Sequence, residues 1–234
     1  AGLLAKLMGY RKTLVVMLSA YFVAMTVAFY QPWGWEATKI QFAVIGACQG
    51  VFGLFTMCLP PLFLAWRDEF GASFAQLGLA VAVMSATTAA LQTPVGFAVD
   101  RWGARPFLVT GTALMALSIS AMALAPSFWV IVGLAMLSGI GNSVIHPADY
   151  AILAGSIDKS RMGRAFALHT FSGNLGFAAG PPVISLLAWG LGWRGALAVV
   201  GLFGVPVVIG ILLQSRVLRD QAKPRGAKAD GASG

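Results

Sequence analysis

Seven apolar stretches separated by short polar loops leave this chain little choice of environment. They cover residues 13–30, 42–66, 77–99, 107–125, 128–153, 166–189 and 196–213. A helix needs about 20 mostly apolar residues to cross the hydrocarbon layer, and these stretches reach or approach that length. Inside the layer every backbone N–H and C=O has to be satisfied within the protein, so such stretches become helices. Charged residues make up 10% of the chain and apolar ones 58%, against about 25% charged in soluble domains. The predicted fold is an all-α membrane protein.

A net charge of +8 would fit a nucleic-acid partner if it lay along one face, but here the basic residues fall in short loops and the C-terminal tail. Their placement sets orientation instead. With the loop 100–106 on the cytoplasmic side, that side holds Arg101, Arg105, Lys159, Arg161, Arg164, Arg216, Arg219, Lys223, Arg225 and Lys228. The opposite side of the last six stretches holds only Arg67 and Arg194. Those six therefore form a bundle with both ends cytoplasmic. The segment 13–30 is preceded by Lys6, Arg11 and Lys12, which spanning would place outside, against the rule. A secretory signal and an interfacial helix are alternatives. We read it as an extra spanning helix, because burying its apolar surface in lipid is favourable. The chain divides into an N-terminal segment, 1–40, a six-span domain, 41–215, and a basic cytoplasmic tail or linker, 216–234.

The run from Gly96 to Pro106, Gly-Phe-Ala-Val-Asp-Arg-Trp-Gly-Ala-Arg-Pro, joins the second and third of these six spans. With Gly96, Asp100, Arg101, Gly103 and Arg105 it resembles the signature loop of the major facilitator superfamily of secondary transporters. Glu69-Phe70-Gly71-Ala72-Ser73 resembles that family's first external loop, and Gly192-Trp193-Arg194 its loop between spans five and six. The run from His146-Pro147 to Asp149-Tyr150 resembles one found in some bacterial drug-efflux and organic-anion members. Gly176, Gly180 and Pro181 form the core of the antiporter signature in span five, although Ala167, Ile184 and Ser185 replace expected glycines. The pattern leans toward the monocarboxylate or oxalate-exchanger branch.

The resemblance covers residues 42–220 and implies the N-terminal six-helix half-bundle of inverted three-helix repeats. It implies alternating access around a midplane site, in a bacterial inner membrane. The expected partners are lipid, a small solute, and a second six-span half on the same or another chain. In the resembled family the Asp100 loop bridges to that other half and acts as a gate. The loop is read as turning within about six residues, with Gly103 supplying backbone freedom and Pro106 starting the next helix.

Polar groups inside spans are costly and usually line a path or pair with one another. His146 and His169 flank the loop near residue 157, at equal distances along the chain, so a helical hairpin sets them at similar depth. Asp149 follows His146 by three residues and shares its helix face. Pro147 frees the carbonyl of Ser143 and kinks its helix. A His-Asp-His group of this kind suits a proton or a substrate carboxylate, since histidine titrates near neutrality. Gln49 and Asn142 are expected to line the same path, and Gln92 and Asn174 to bond helices together. Gly46, Gly50 and Gly53 in span one, and Gly173, Gly176 and Gly180 in span five, make flat faces for close helix contact. The pairs Pro60-Pro61 and Pro181-Pro182 suggest broken helix ends. Cys48 and Cys58 are ten residues apart, about 15 Å along one helix, too far for a disulfide.

No nucleotide-binding loop, catalytic triad signature or metal-ligand spacing is present, so the reading includes no enzyme activity, cofactor or metal. The function expected is secondary transport of a small organic anion, proton-coupled or by exchange. Drug efflux is the nearest alternative. A non-transport membrane scaffold or assembly factor is the rival of a different class.

Overall fold

A computed structural model describes residues 36–157 and 159–213. The segment 13–30 and the tail 216–234 lie outside these residues, as does nearly all of the N-terminal segment 1–40. The described chain is helical with no strands. In order it forms α1 (Glu36–Met57), a 3₁₀ turn (Pro60–Leu62), α2 (Phe63–Phe70), α3 (Phe74–Trp102), α4 (Ala104–Met122), α5 (Phe128–Ser143), α6 (Ile145–Ser156), a second 3₁₀ turn (Lys159–Arg161), α7 (Met162–Leu202) and α8 (Gly204–Leu213).

Four stretches are long and apolar enough for single crossings: Gly46–Phe70, Phe74–Trp102, Ala104–Met122 and Phe128–Gly155. The fifth, Ala165–Leu213, has 49 residues, about 74 Å if it were one straight helix and far more than a bilayer needs. It turns at Gly192, whose φ of 69° and ψ of 168° are not helical. Gly180 lies against Leu54 and Met57 of α1, and Gly204 against Phe55. These two glycines lie equally far from Gly192 along the chain, so the stretch doubles back as a hairpin and supplies two crossings. The break expected at Pro181-Pro182 is absent, since α7 continues through both prolines. Pro60-Pro61 does interrupt its span, with a 3₁₀ turn.

The turn after α3 is tighter than expected. α3 runs to Trp102 and α4 starts at Ala104, leaving Gly103 alone between them at φ 89° and ψ 153°. Asp100 and Arg101 therefore stand on the last helical turn rather than in a loop. At the other end of α3, Ser73 caps the helix. Its hydroxyl accepts from the Gln76 N–H at 3.3 Å, and the Gln76 side chain accepts from the Ser73 N–H at 2.8 Å.

Glycines set the helix spacing. A Cβ on Gly176 would strike the carbonyl oxygen of Gly50, and one on Gly53 the carbonyl oxygen of Gly173. α1 and α7 thus touch backbone to backbone, as small residues permit in lipid. Gly139 brings α5 against Met84 of α3, where Thr88 Oγ1 donates to the Gly139 carbonyl at 3.1 Å. Around these seams lies a buried core that includes Phe55, Leu77, Met84, Leu108, Met115, Ile119 and Ile131. Large side chains such as Phe97, Leu124, Trp129 and Trp189 are exposed, as suits a surface in contact with lipid and its interfaces.

Candidate functional site

The break between α5 and α6 follows from Pro147. With no N–H there, the Ser143 carbonyl loses its helical partner, and α5 ends at that residue. α6 then carries Asp149 into the bundle. Of the charged side chains in the apolar spans, Arg67, Asp68, Glu69, Asp100, Arg101, Arg105 and Arg194 all lie within three residues of a helix end or of the Gly192 turn. Among the described residues Asp149 alone sits well inside, and it is fully buried.

Three helices meet around it. Gln49 of α1 donates from Nε2 to Asp149 Oδ2 at 3.0 Å. The same nitrogen is 2.7 Å from His169 Nε2 of α7 and 3.3 Å from His146 Nδ1 of α6. His169 Nε2 lies 3.3 Å from Asp149 Oδ2. Gln49, Asp149 and His169 are buried, and His146 is half-buried. Asp149 Oδ1 is buried with no hydrogen-bond partner.

Aromatic rings pack around the group, with Tyr150 itself exposed. Phe52 meets His146 edge-on, with centroids 5.0 Å apart. Tyr150 lies 5.4 Å from the His169 ring and 5.2 Å from Phe166. The two imidazole centroids are 6.4 Å apart.

Four of the five residues expected along a path therefore come together. Asn142 does not join them: it is buried on α5, with its Oδ1 unpartnered. Asn174 is exposed and Gln92 half-buried, and neither hydrogen-bonds to another helix among the described residues. Of the packing residues, Gly50, Gly176 and Gly180 lie in the α1–α7 seam, Gly46 is buried on α1 and Pro181 is half-buried within α7. In the Asp100 turn, Asp100 and Arg101 are exposed. The Arg101 guanidinium lies 5.5 Å from the Trp102 ring, Arg105 is half-buried and Gly96 sits partly covered on α3.

A second polar centre ties the opposite end of the bundle, and sequence reasoning did not assemble it. Glu69, at the end of α2, accepts from Trp193 Nε1 at 2.6 Å and from Arg194 Nη2 at 2.6 Å. Arg194 Nη1 donates to the carbonyls of Ala123 and Ala125 at 2.8 and 3.0 Å. Its guanidinium stands 4.3 Å over the Trp193 ring. Beneath it, buried Trp66 packs against Trp193 and Phe128, with centroids 6.1 and 6.4 Å away. The loops at residues 71, 123 and 192 thus share one end, which leaves Gly103 and the 157–161 turn at the other. The sequence signal was the two short motifs themselves, which no local spacing connects.

Among the described residues no three His, Cys, Asp or Glu side chains are grouped as a metal would need. Cys48 and Cys58 are both free and buried.

Fold and buried cluster together define a polytopic α-helical membrane protein with an ionisable site between its spans. The Major Facilitator Superfamily profile matches residues 45–233, and the chain belongs to that family. Across 147 residues it is 26% identical to the probable L-galactonate transporter of Escherichia coli K12, covering 63% of this chain and 32% of that protein. It is 30% identical to monocarboxylate transporter 11 of Mus musculus over 171 residues, 72% of this chain and 37% of the relative. Multidrug resistance protein MdtH of Cronobacter sakazakii is 29% identical over 137 residues, 58% of this chain and 34% of its own length. The chain spans about a third of the length of these curated relatives.

Proposed function

We propose that this chain is the N-terminal half of a secondary transporter that moves a small organic anion by alternating access, with Asp149 and His169 as its proton-binding pair. The observation that carries this is Asp149 itself, a carboxylate held fully buried between three spans by Gln49 and His169. An ionisable group is kept at such depth when it serves a path or a relay. The rings of Phe52 and Tyr150 pack on the histidines, with Phe166 beside them, which favours a proton as the ligand of this group rather than a solute.

The choice of a small organic anion as solute is supported by two relatives, named for galactonate and monocarboxylate. The second six-span half completes the cavity, and Asp100, Arg101 and Arg105 face it as the gate. The excess of basic loop residues supports a cytoplasmic position for that turn, and the membrane proposed is a bacterial inner membrane. Drug efflux is the second reading, supported by the MdtH relative and by the lack of Lys or Arg deep within the described spans.

The test is uptake of labelled lactate and galactonate into sealed vesicles carrying the chain, driven by an inward proton gradient. Uptake in the native chain is expected to fall at least tenfold in Asp149→Asn at equal protein level. No uptake by the native chain, or gradient-driven uptake that Asp149→Asn leaves intact, overturns the reading.

A further inference from the structure

We propose that Gln49 is the proton-sensing link of the buried cluster, reversing its side-chain amide when Asp149 gains or loses a proton. The inference rests on the reading of Asp149 as a proton site and adds how the proton is communicated to α1.

A primary amide nitrogen carries two hydrogens. Gln49 Nε2 has three neighbours within reach: His169 Nε2 at 2.7 Å, Asp149 Oδ2 at 3.0 Å and His146 Nδ1 at 3.3 Å. It can serve only two. With Asp149 ionised, the consistent arrangement has Nε2 donating to Asp149 Oδ2 and to the lone pair of His169 Nε2. The His169 ring proton is then on Nδ1, and the longer approach to His146 goes unmade. One Asp149 oxygen, Oδ1, is left without a partner in a buried setting.

Adding one proton to Asp149, on Oδ2, favours a different arrangement. With Oδ2 protonated, two donors would face each other across 3.0 Å. Rotating the amide by half a turn removes that conflict: Asp149 Oδ2–H then donates to the Gln49 oxygen. His169 in its other neutral tautomer, with the proton on Nε2, donates to the same oxygen, since a carbonyl accepts two bonds. The two arrangements differ by one added proton, one amide reversal and a shift of the His169 ring proton from Nδ1 to Nε2, and His169 stays neutral in both.

Space for the reversal comes from Gly173 on α7. A Cβ there would stand 3.2 Å from Gln49 Oε1, tight enough to hinder the turning amide. The next residue on α1, Gly50, lies in backbone contact with Gly176, so the reversal acts where α1 and α7 touch most closely.

The titratable groups facing Asp149 are His146 on its own helix, His169 on α7 and Cys48 on α1. α5 and α8 carry no charged side chain, and those of α3 and α4, Asp100, Arg101 and Arg105, stand at the Gly103 turn.

The experiment is acid-minus-alkaline infrared difference spectroscopy of the purified full chain in lipid, with glutamine side-chain carbonyls labelled with carbon-13. The expected result is a carboxylic acid band that Asp149→Asn removes. A label-sensitive glutamine band should titrate at the same midpoint and disappear in both Gln49→Leu and Asp149→Asn. Gly173→Ala keeps all four polar groups and is expected to diminish the glutamine band alone, which guards against misfolding of the Gln49 variant. A glutamine band that is absent, or that survives in Asp149→Asn, overturns the amide switch while leaving the proton site standing. Absence of the carboxylic acid band overturns the proton site itself. Neither outcome depends on transport being detected.

Discussion

Arg194 and Glu69 lie 125 positions apart in the sequence, yet their side chains meet at 2.6 Å. The arginine also holds the carbonyls of Ala123 and Ala125, just beyond α4. One guanidinium therefore closes three loops at a single end of the bundle and supplies donors to carbonyls that the helix end leaves without partners. Both members of the ion pair are 41% exposed, so the pair by itself contributes about 1 kcal/mol or less.

Arg194→Ala is expected to destabilise the protein more than Glu69→Ala, because it also strips the two carbonyls. Arg194→Lys should rescue little, since a single ammonium does not reproduce a planar fork reaching three oxygens. A double-mutant cycle on thermal unfolding in detergent measures the coupling. Because Glu69→Ala also strips the Trp193 Nε1–H of its acceptor, equal losses in the two single variants would show that the two carbonyl contacts contribute no more than that one bond.

The seam between α1 and α7 makes a prediction of opposite sign at two glycines. Replacing glycine by alanine within a helix ordinarily stabilises it by up to about 1 kcal/mol. Gly133→Ala on α5, with open space around it, is expected to follow that rule. Gly176→Ala puts a methyl into the Gly50 backbone and should lower the unfolding temperature. A rise in both variants would mean that the helices do not touch as described.

Two turns test backbone strain. Gly71 adopts φ 65° and ψ 21°, a left-handed cap that asparagine also tolerates. Gly103, at φ 89° and ψ 153°, lies in a region almost reserved for glycine, where other residues cost about 1–3 kcal/mol. Asparagine should therefore be accepted at 71 and rejected at 103, read from folded yield and unfolding temperature. Equal tolerance at both would contradict the one-residue turn.

Cys48 and Cys58 are expected to resist a polar maleimide until the protein is unfolded, because each is at most 2% exposed. Mass spectrometry after timed labelling gives the answer. Rapid modification of either thiol in the native protein would place it on a water-filled surface instead.

Much of the half-bundle is legible in the order of residues, because lipid forces apolar stretches into helices. The depth shared by His146 and His169 follows from their symmetric placement about one turn, and the contact of Gly50 with Gly176 from the small residues themselves. Proline was the less dependable guide. Pro147 ends α5, whereas Pro181 and Pro182 are absorbed by α7; the reversal falls at Gly192, within the Gly192-Trp193-Arg194 loop expected between the last two spans. Asn142 shows a related limit, since a polar residue on the expected span need not face the expected group. The Glu69–Arg194 clamp depends on three loops meeting, which no period within any one helix encodes.

The single residue between α3 and α4 has a mechanical consequence. Beyond Gly103 these two helices scarcely touch, and both pack on α5 instead. They resemble the legs of a drawing compass, pinned at one end and set apart by a third rod. α3 is about 43 Å long, so a swing of about 10° at the pin carries its far tip about 7 Å. Along the leg Thr88 is bonded to the Gly139 carbonyl, so a swing of that size has to carry α5 with it or break that bond.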